Sequence, residues 1–543
     1  MKAIANPLAV IAALFLSAAC ADKSIDNAAV LAGIIPAPQS VEAAEGAFCV
    51  KGASFNVAGV TDESSRGMIE EFASRLGRVS GKACAVEQTE AGISFLQDAS
   101  LPGEAYSLEI APDAVRVRAS DFNGFFYAVQ TLSQMLPVSV YGDKKAPSDS
   151  WMLPCCTVND APRFAYRGVM IDDCRHFFGK DEVKRILDIM AAFKLNRMHW
   201  HLSDDQGWRI EIRKYPRLTE VGSVREGTQA GRNRFAHDSI PYGGYYTQED
   251  IREVVAYAQG LGIIVIPEID LPGHMVAALA AYPELGCSGG PYKVRTGWGI
   301  ADEALCPGKE VTFEFLEDVL GEVADLFPSE YFNIGGDECK KGEWEKCPDC
   351  QARIRALGLK TDANATKEQR LQNYVTSRVQ AFLATKGKKV IGWDEILEGE
   401  LAPGATVMSW RGAEGGIKAA KMGYDVVMAP NNYCYLDYAQ SEDFEDEPLG
   451  QIQVVTLEKT YSLDPCRDIP EDCLHHILGV QGNLWTEYIA TQGHFEYMLL
   501  PRMLALSEVQ WCAPEKRDFA RFSSALETHE YPILDLMGYN YRR

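Results

Sequence analysis

Beyond the first twenty residues no stretch is long and apolar enough to span a membrane, which takes about 20 consecutive apolar residues. Positive charge is scarce too: 53 Lys and Arg stand against 76 Asp and Glu, for a formal charge of -23. That balance argues against nucleic acid or an anionic membrane surface as a partner, because phosphates would be repelled. Histidine is rare, 9 in 543 residues, and none lies between His274 and His475. Barrel metallohydrolases that hold zinc through an HxH pair need further histidines from later strands. His199-Trp200-His201 therefore reads as a hydrogen-bonding pair beneath a pocket. A single CxxC occurs, Cys347-Pro348-Asp349-Cys350, with no second one and no His pair after it. It reads as a disulfide or two buried thiols rather than a zinc site, and Cys287 with Cys306 as another pair bracketing a loop. No metal and no cofactor are expected.

The N-terminus departs from the rest. Lys2 supplies a positive charge, Leu8 to Leu16 an apolar run, and Ser17-Ala18-Ala19-Cys20 a small-residue site. Residues 1–19 read as a secretory signal. A cysteine directly after the small residues resembles the lipobox of bacterial lipoproteins, with Cys20 lipidated and residues 20–34 as a linker. Ser17 departs from the leucine favoured there, and cleavage after Ala19 or Ala21 is the competing reading. The expected location is the periplasm or cell surface, with membrane contact only through the lipid anchor.

Residues 35–154 read as a small α+β domain. Tyr106–Ile110 and Val115–Arg118 alternate apolar and polar as half-exposed antiparallel strands do, while Met68–Leu76 and Phe125–Leu136 have helical spacing. The proline-containing stretch Ala146–Pro154 is expected to close the domain. From Arg163 short apolar strands alternate with helical segments. Eight strand candidates follow: Tyr166–Ile171, Arg197–His201, Ile263–Glu268, Tyr331–Gly335, Lys389–Trp393, Thr406–Ser409, Asp425–Ala429 and Gly479–Leu484. The fold class is therefore α/β: a (β/α)8 TIM barrel over residues 160–515 preceded by the small α+β domain. Residues 516–543 are expected to form a helical segment packed on the barrel.

Such barrels place their sites at the C-terminal ends of the strands. There the sequence puts Arg175, Asp204, His274, Asp337 with Glu338, Trp393, Trp410, Tyr435 with Asp437, and Trp485 with Glu487. Tryptophan faces suit the C–H faces of sugar rings, while Asp, Glu and Arg satisfy hydroxyls. Asp337-Glu338 follows Gly335-Gly336, and the competing reading of that pair is an acidic cap on a following helix. Neighbours on an extended strand point to opposite faces, so the two acids cannot straddle a glycosidic bond as opposed carboxylates. Glu338 suits the acid for the leaving oxygen, and the nucleophile must come from elsewhere, the substrate included.

The motifs resemble glycoside hydrolase family 20 β-N-acetylhexosaminidases: Asp172-Asp-Cys-Arg-His-Phe177, His199-Trp-His-Leu-Ser-Asp-Asp-Gln-Gly-Trp-Arg209, Pro267-Glu-Ile-Asp-Leu-Pro-Gly-His274, Gly335-Gly-Asp-Glu338, Gly392-Trp-Asp-Glu395, Tyr435-Leu-Asp437 and Gln481-Gly-Asn-Leu-Trp-Thr-Glu487. The resemblance implies retaining, substrate-assisted hydrolysis of terminal GlcNAc or GalNAc through an oxazolinium intermediate. It assigns Asp337 to the acetamido N–H, Glu338 to acid and base work, and Tyr435 to the acetamido oxygen. Trp393, Trp410 and Trp485 would wall that group; Arg175, Asp437 and Glu487 would bind hydroxyls; Asp204 and His274 would support Glu338. Asn333 departs from the histidine more usual in the family and is expected to retune Asp337 or the bonding beneath it. Two readings stay open beside it: release of a terminal disaccharide, and a catalytically silent sugar-binding lipoprotein.

Overall fold

The computed structural model describes residues 25–87 and 92–543; the signal and the lipidation call at Cys20 lie outside them. The N-terminal domain is a seven-stranded sheet in the order Ser40–Cys49, Met152–Asp160, Tyr106–Ile110, Ala114–Ala119, Gly92–Gln97, Ser54–Gly59, Ala85–Glu87. Tyr106–Ile110 pairs antiparallel with Ala114–Ala119, as their alternation predicts. Helices Glu63–Ser80 and Phe122–Gln134 pack against each other and against the sheet, with Phe72 edge-on to Phe55 and Phe125 against Phe95.

Two boundaries differ from expectation. Met152–Asp160 is an interior strand, so the sheet runs past the end expected at 154. Pro154 is tolerated because it lies opposite Ala47, beside a register break in the first strand, and pairing with Tyr106–Ile110 begins only at Cys156. The expected linker contains the helix Asn27–Ala32, capped by Asp26, and ends in Ile34, fully buried like Ile35 after it.

The eight expected strands form a closed, all-parallel barrel in sequence order: Tyr166–Asp172, Arg197–His201, Ile264–Glu268, Tyr331–Asn333, Lys389–Trp393, Thr406–Ser409, Asp425–Met428 and Ile477–Leu484. All seven residues of the first strand are buried, because helices cover the outside and side chains fill the inside. Tyr166, Ile266, Ile391, Met408 and Val427 belong to a small apolar cluster separate from the main core.

The C-terminal segment touches both domains. Arg185 of the barrel helix Lys180–Ala192 donates to the carbonyls of Met537 and Gly538, while Arg521 donates to those of Ala32 and Ile34. Gln39 donates to the carbonyl of Trp511, and Lys516 to that of Gln39.

Candidate active site

The fourth strand ends at Asn333, and the chain then turns sharply. Asn333 is fully buried; its Oδ1 accepts the Gly335 N–H at 2.9 Å, while its Nδ2 has no partner. Gly335 and Gly336 adopt φ of 63° and 97°. A Cβ on Gly335 would lie 1.8 Å from Asp270 Oδ1, so only glycine fits. Glu338 itself has φ of 48°, a left-handed conformation that costs a non-glycine residue about 1–2 kcal/mol. The next helix is Gly342–Lys346, with Lys341 before it, so Asp337 caps no helix. Nor do the two acids sit on extended strand. The left-handed turn brings both to one cavity, where His274 Nε2 lies 3.8 Å from Asp337 Oδ2 and 3.5 Å from Glu338 Oε2.

That cavity, about 230 Å³, is lined by Arg175, His274, Asp337, Glu338, Trp410, Tyr435, Asp437, Trp485 and Glu487, together with Tyr438, Gln451 and Gln453. Trp410 stacks on Tyr435 with ring centroids 6.0 Å apart, and Tyr435 meets Trp485 at 6.5 Å. Arg175 lies over the Trp485 ring and reaches Asp204 Oδ2 at 2.8 Å and Asp172 Oδ2 at 3.2 Å. Asp204 and Trp393 stand behind the wall rather than on it. Asp204 Oδ1 lies 3.2 Å from His274 Nδ1, and Trp393, 1% exposed, donates to Glu268 Oε1 at 3.0 Å while packing on Trp485.

Among the residues lining the cavity, three buried carboxylate oxygens have no partner within the protein: Asp337 Oδ1, Asp437 Oδ1 and Glu487 Oε2. Buried polar atoms are seldom left so, and these belong to residues lining one cavity. Electrostatics follow the burial. Burial pushes Asp337 up to about 6, with the negative Glu338 adding to it and His274 opposing it. Glu395, bonded by Trp410 Nε1 at 2.8 Å, is raised to about 8 by burial and by Asp337. Burial works against ionised Asp204, but Arg175 and His274 hold its carboxyl well below the usual range. Asp204 in turn overcomes the burial of His274 and raises it well above an ordinary histidine.

Beneath the cavity, both nitrogens of His201 face acids, Nδ1 to Glu268 and Nε2 to Asp204 Oδ2 at 2.8 Å. His199 meets Gln481 at 3.0 Å and Glu268 at 2.9 Å. A metal at this pair would have to displace those partners. Sequence reasoning missed Tyr438, Gln451 and Gln453, which lie beyond the seventh strand where no strand-end pattern reaches them. It also placed Glu395 only at a strand end; the signal for its closeness to Asp337 was the adjacent Asp394-Glu395 after Trp393.

The glycosyl hydrolase family 20 catalytic domain matches residues 164–514, and that family's domain 2 matches residues 32–161. A beta-hexosaminidase of Porphyromonas gingivalis is 45% identical over 82% of this chain; the chain spans 55% of that protein's length. One from Akkermansia muciniphila is 35% identical over 84% of this chain and 90% of its own. Among solved structures, a GH20 exo beta-N-acetylglucosaminidase of Vibrio harveyi in complex with N-acetylglucosamine superposes with a TM-score of 0.82. It is 33% identical and is matched over 94% of this chain and 78% of that one. The Streptomyces plicatus N-acetyl-beta-hexosaminidase in complex with Thio-NAglucal gives 0.81 at 32% identity, over 94% and 97%.

Proposed function

The chain belongs to glycosyl hydrolase family 20, and on that footing we propose that it removes terminal, β-linked N-acetylhexosamine from the non-reducing ends of glycans. The observation that carries this reading is the adjacent pair Asp337 and Glu338 turned into one aromatic-walled cavity beside His274. At about 230 Å³ that cavity is below the range usual for drug-sized ligands, which favours a single sugar ring over a disaccharide.

In this reading the acetamido carbonyl oxygen of the bound sugar attacks C1 while the bond from C1 to the leaving oxygen breaks. Glu338 gives its proton to that oxygen. Asp337, about 6 and so ionised at neutral pH, accepts the acetamido N–H and stabilises the oxazolinium. Glu338 then takes a proton from water, whose oxygen attacks C1 from the vacated face and restores the β configuration. Tyr435 holds the acetamido oxygen, Trp410 and Trp485 close the space around that group, and Trp393 backs Trp485. The unpartnered oxygens of Asp437 and Glu487 accept hydroxyl donors beside Arg175. Asp204 keeps His274 charged and aimed at both acids.

Hydrolysis of paired GlcNAc and GalNAc substrates, with product analysis on defined glycans, tests this. Glu338→Gln is expected to lose about 10²–10⁴-fold on a poorly activated substrate while folding normally. A thiazoline mimic of the oxazolinium should inhibit. Full turnover in that variant would sink the assignment. We further infer that the chain is exported and held to a membrane through an acylated Cys20, on the strength of the Leu8–Leu16 run and the small residues before it. An N-terminal peptide mass without acyl groups would refute the anchor.

A further inference from the structure

Away from the cavity, four cysteines from two loops converge. Cys287 and Cys306 lie between the third strand and the helix Glu310–Leu326, whereas Cys347 and Cys350 follow the fourth strand. All four are free thiols; three are buried and Cys287 is half-buried. Cys287 and Cys306 are not bonded, whereas Cys347 and Cys350 are two buried thiols, one of the two states expected of them. Cys306 Sγ lies 3.5 Å from Cys350 Sγ and 3.7 Å from Cys347 Sγ, and Cys287 Sγ lies 3.8 Å from Cys350 Sγ. All four sulfurs are within 4.8 Å of one another. Four thiolates arranged tetrahedrally at about 2.3 Å from a zinc ion stand about 3.8 Å apart. Cys306 and Cys350 each have two sulfur neighbours at such distances, which suits a shared centre better than pairwise bonding.

The backbone is arranged to hold this geometry. An antiparallel bridge between Gly286 and Leu305 sets Cys287 beside Cys306. Cys347 precedes the helix Pro348–Ala356, and Cys350 sits in its first turn, where free N–H groups and the dipole favour a thiolate. The two knuckles touch directly: a Cβ on Gly308 would lie 2.2 Å from the carbonyl carbon of Asp349 and 2.3 Å from Cys350 N. Around them Ala304, Trp344, Ile354 and Leu371 form a small core of their own, and Trp344 Nε1 donates to the Leu305 carbonyl at 2.9 Å. A core that small gives little hydrophobic stability, which is where structural metals serve.

We propose that Cys287, Cys306, Cys347 and Cys350 bind one structural Zn²⁺ as four thiolates, their protons passing to solvent. The ion clips the loop that carries Glu338 to the loop after the third strand, so the turn at Gly335-Gly336 is braced from outside the cavity. The site takes no part in bond cleavage and does not rest on the proposed activity.

Metal analysis and zinc-edge X-ray absorption on the full chain, purified without chelator, test this. The expected result is about one zinc per chain with four sulfur neighbours at about 2.3 Å. Cys347→Ser together with Cys350→Ser should cut zinc content about tenfold or more, and Cys434→Ser, a buried thiol elsewhere, should leave it intact. Should the double variant fail to fold, a mercurial thiol reagent added to the unmodified chain with a zinc-sensing dye gives the same readout, with release of about one ion expected. A chain that takes up no zinc under reducing conditions would overturn the proposal. So would a chain isolated with these four cysteines joined in two disulfides, shown by peptide mapping.

Discussion

Asp160, in the joint between the two domains, and Asp337, at the mouth of the barrel, are both buried acids, and their surroundings differ in kind. Asp160 accepts from the Gln39 N–H at 2.9 Å, Trp511 Nε1 at 2.8 Å, Tyr106 OH at 2.6 Å and Lys194 Nζ at 3.1 Å. Asp337 has one oxygen with no partner, and its nearest cation, on His274, stands 3.8 Å away. A carboxylate surrounded by donors belongs to folding. One left short of them in a cavity is kept for donors that arrive with a ligand. The same contrast sets Asp437 and Glu487, which line the same cavity, apart from Asp160.

Breaking the satisfied end of the comparison should have the larger effect. Asp160→Ala leaves Lys194 buried without its counter-charge and is expected to cost about 3–5 kcal/mol in urea unfolding, with kcat of the folded fraction unchanged. The unsatisfied end should respond with the opposite sign. Because the Asp337 carboxyl is raised from 3.8 to about 6, the folded chain holds a proton that the unfolded chain gives up. Its contribution therefore falls as pH rises through that window. Asp337→Asn should thus gain roughly 1–3 kcal/mol of stability at pH 7 while losing hydrolysis. The smallest effect is a shift in profile. The acid limb of kcat/KM should lie near 6, and His274→Gln, which removes the cation that favours ionised Asp337, should move it upward by about one pH unit or less.

The barrel was legible because each parallel strand is buried on both faces and reads as a short apolar run with a chemical residue at its end. Arg197–His201, Lys389–Trp393 and Thr406–Ser409 have the bounds expected of them. The positions brought to one cavity were legible for the same reason. Local geometry was not. Nothing in Asp337-Glu338 as letters announces a left-handed Glu338, and it is this turn, not strand alternation, that sets the two side chains. Asn333, read as retuning Asp337 or the bonding beneath it, accepts the Gly335 N–H within the turn, a bond that the letters alone do not specify. Pro154 read as a terminator because the register break opposite it is a property of the partner strand. The four cysteines read as two unrelated pairs, since the contact that joins them, Gly308 against Asp349 and Cys350, is between loops that follow different strands.

The joint built from residues 37–39 and 508–521 imposes an order of events on a chain as it is made. Ala37 donates to Glu508, and Cys512 to the Ala37 carbonyl, across more than 470 residues. The thermodynamic burden of so long a span is modest, because closure entropy grows only with the logarithm of length. Timing is another matter. The N-terminal domain leaves the ribosome first and completes its sheet by residue 160; Gln134 already holds Ile35 there, yet Glu508, Cys512 and Arg521, which bond Ala37 and Ile34, emerge only after the whole barrel has been synthesised. For that interval the edge at Ile34 and Ala37 lacks its C-terminal partners, and it is during translation, rather than in the finished molecule, that this edge most needs protection from neighbouring chains.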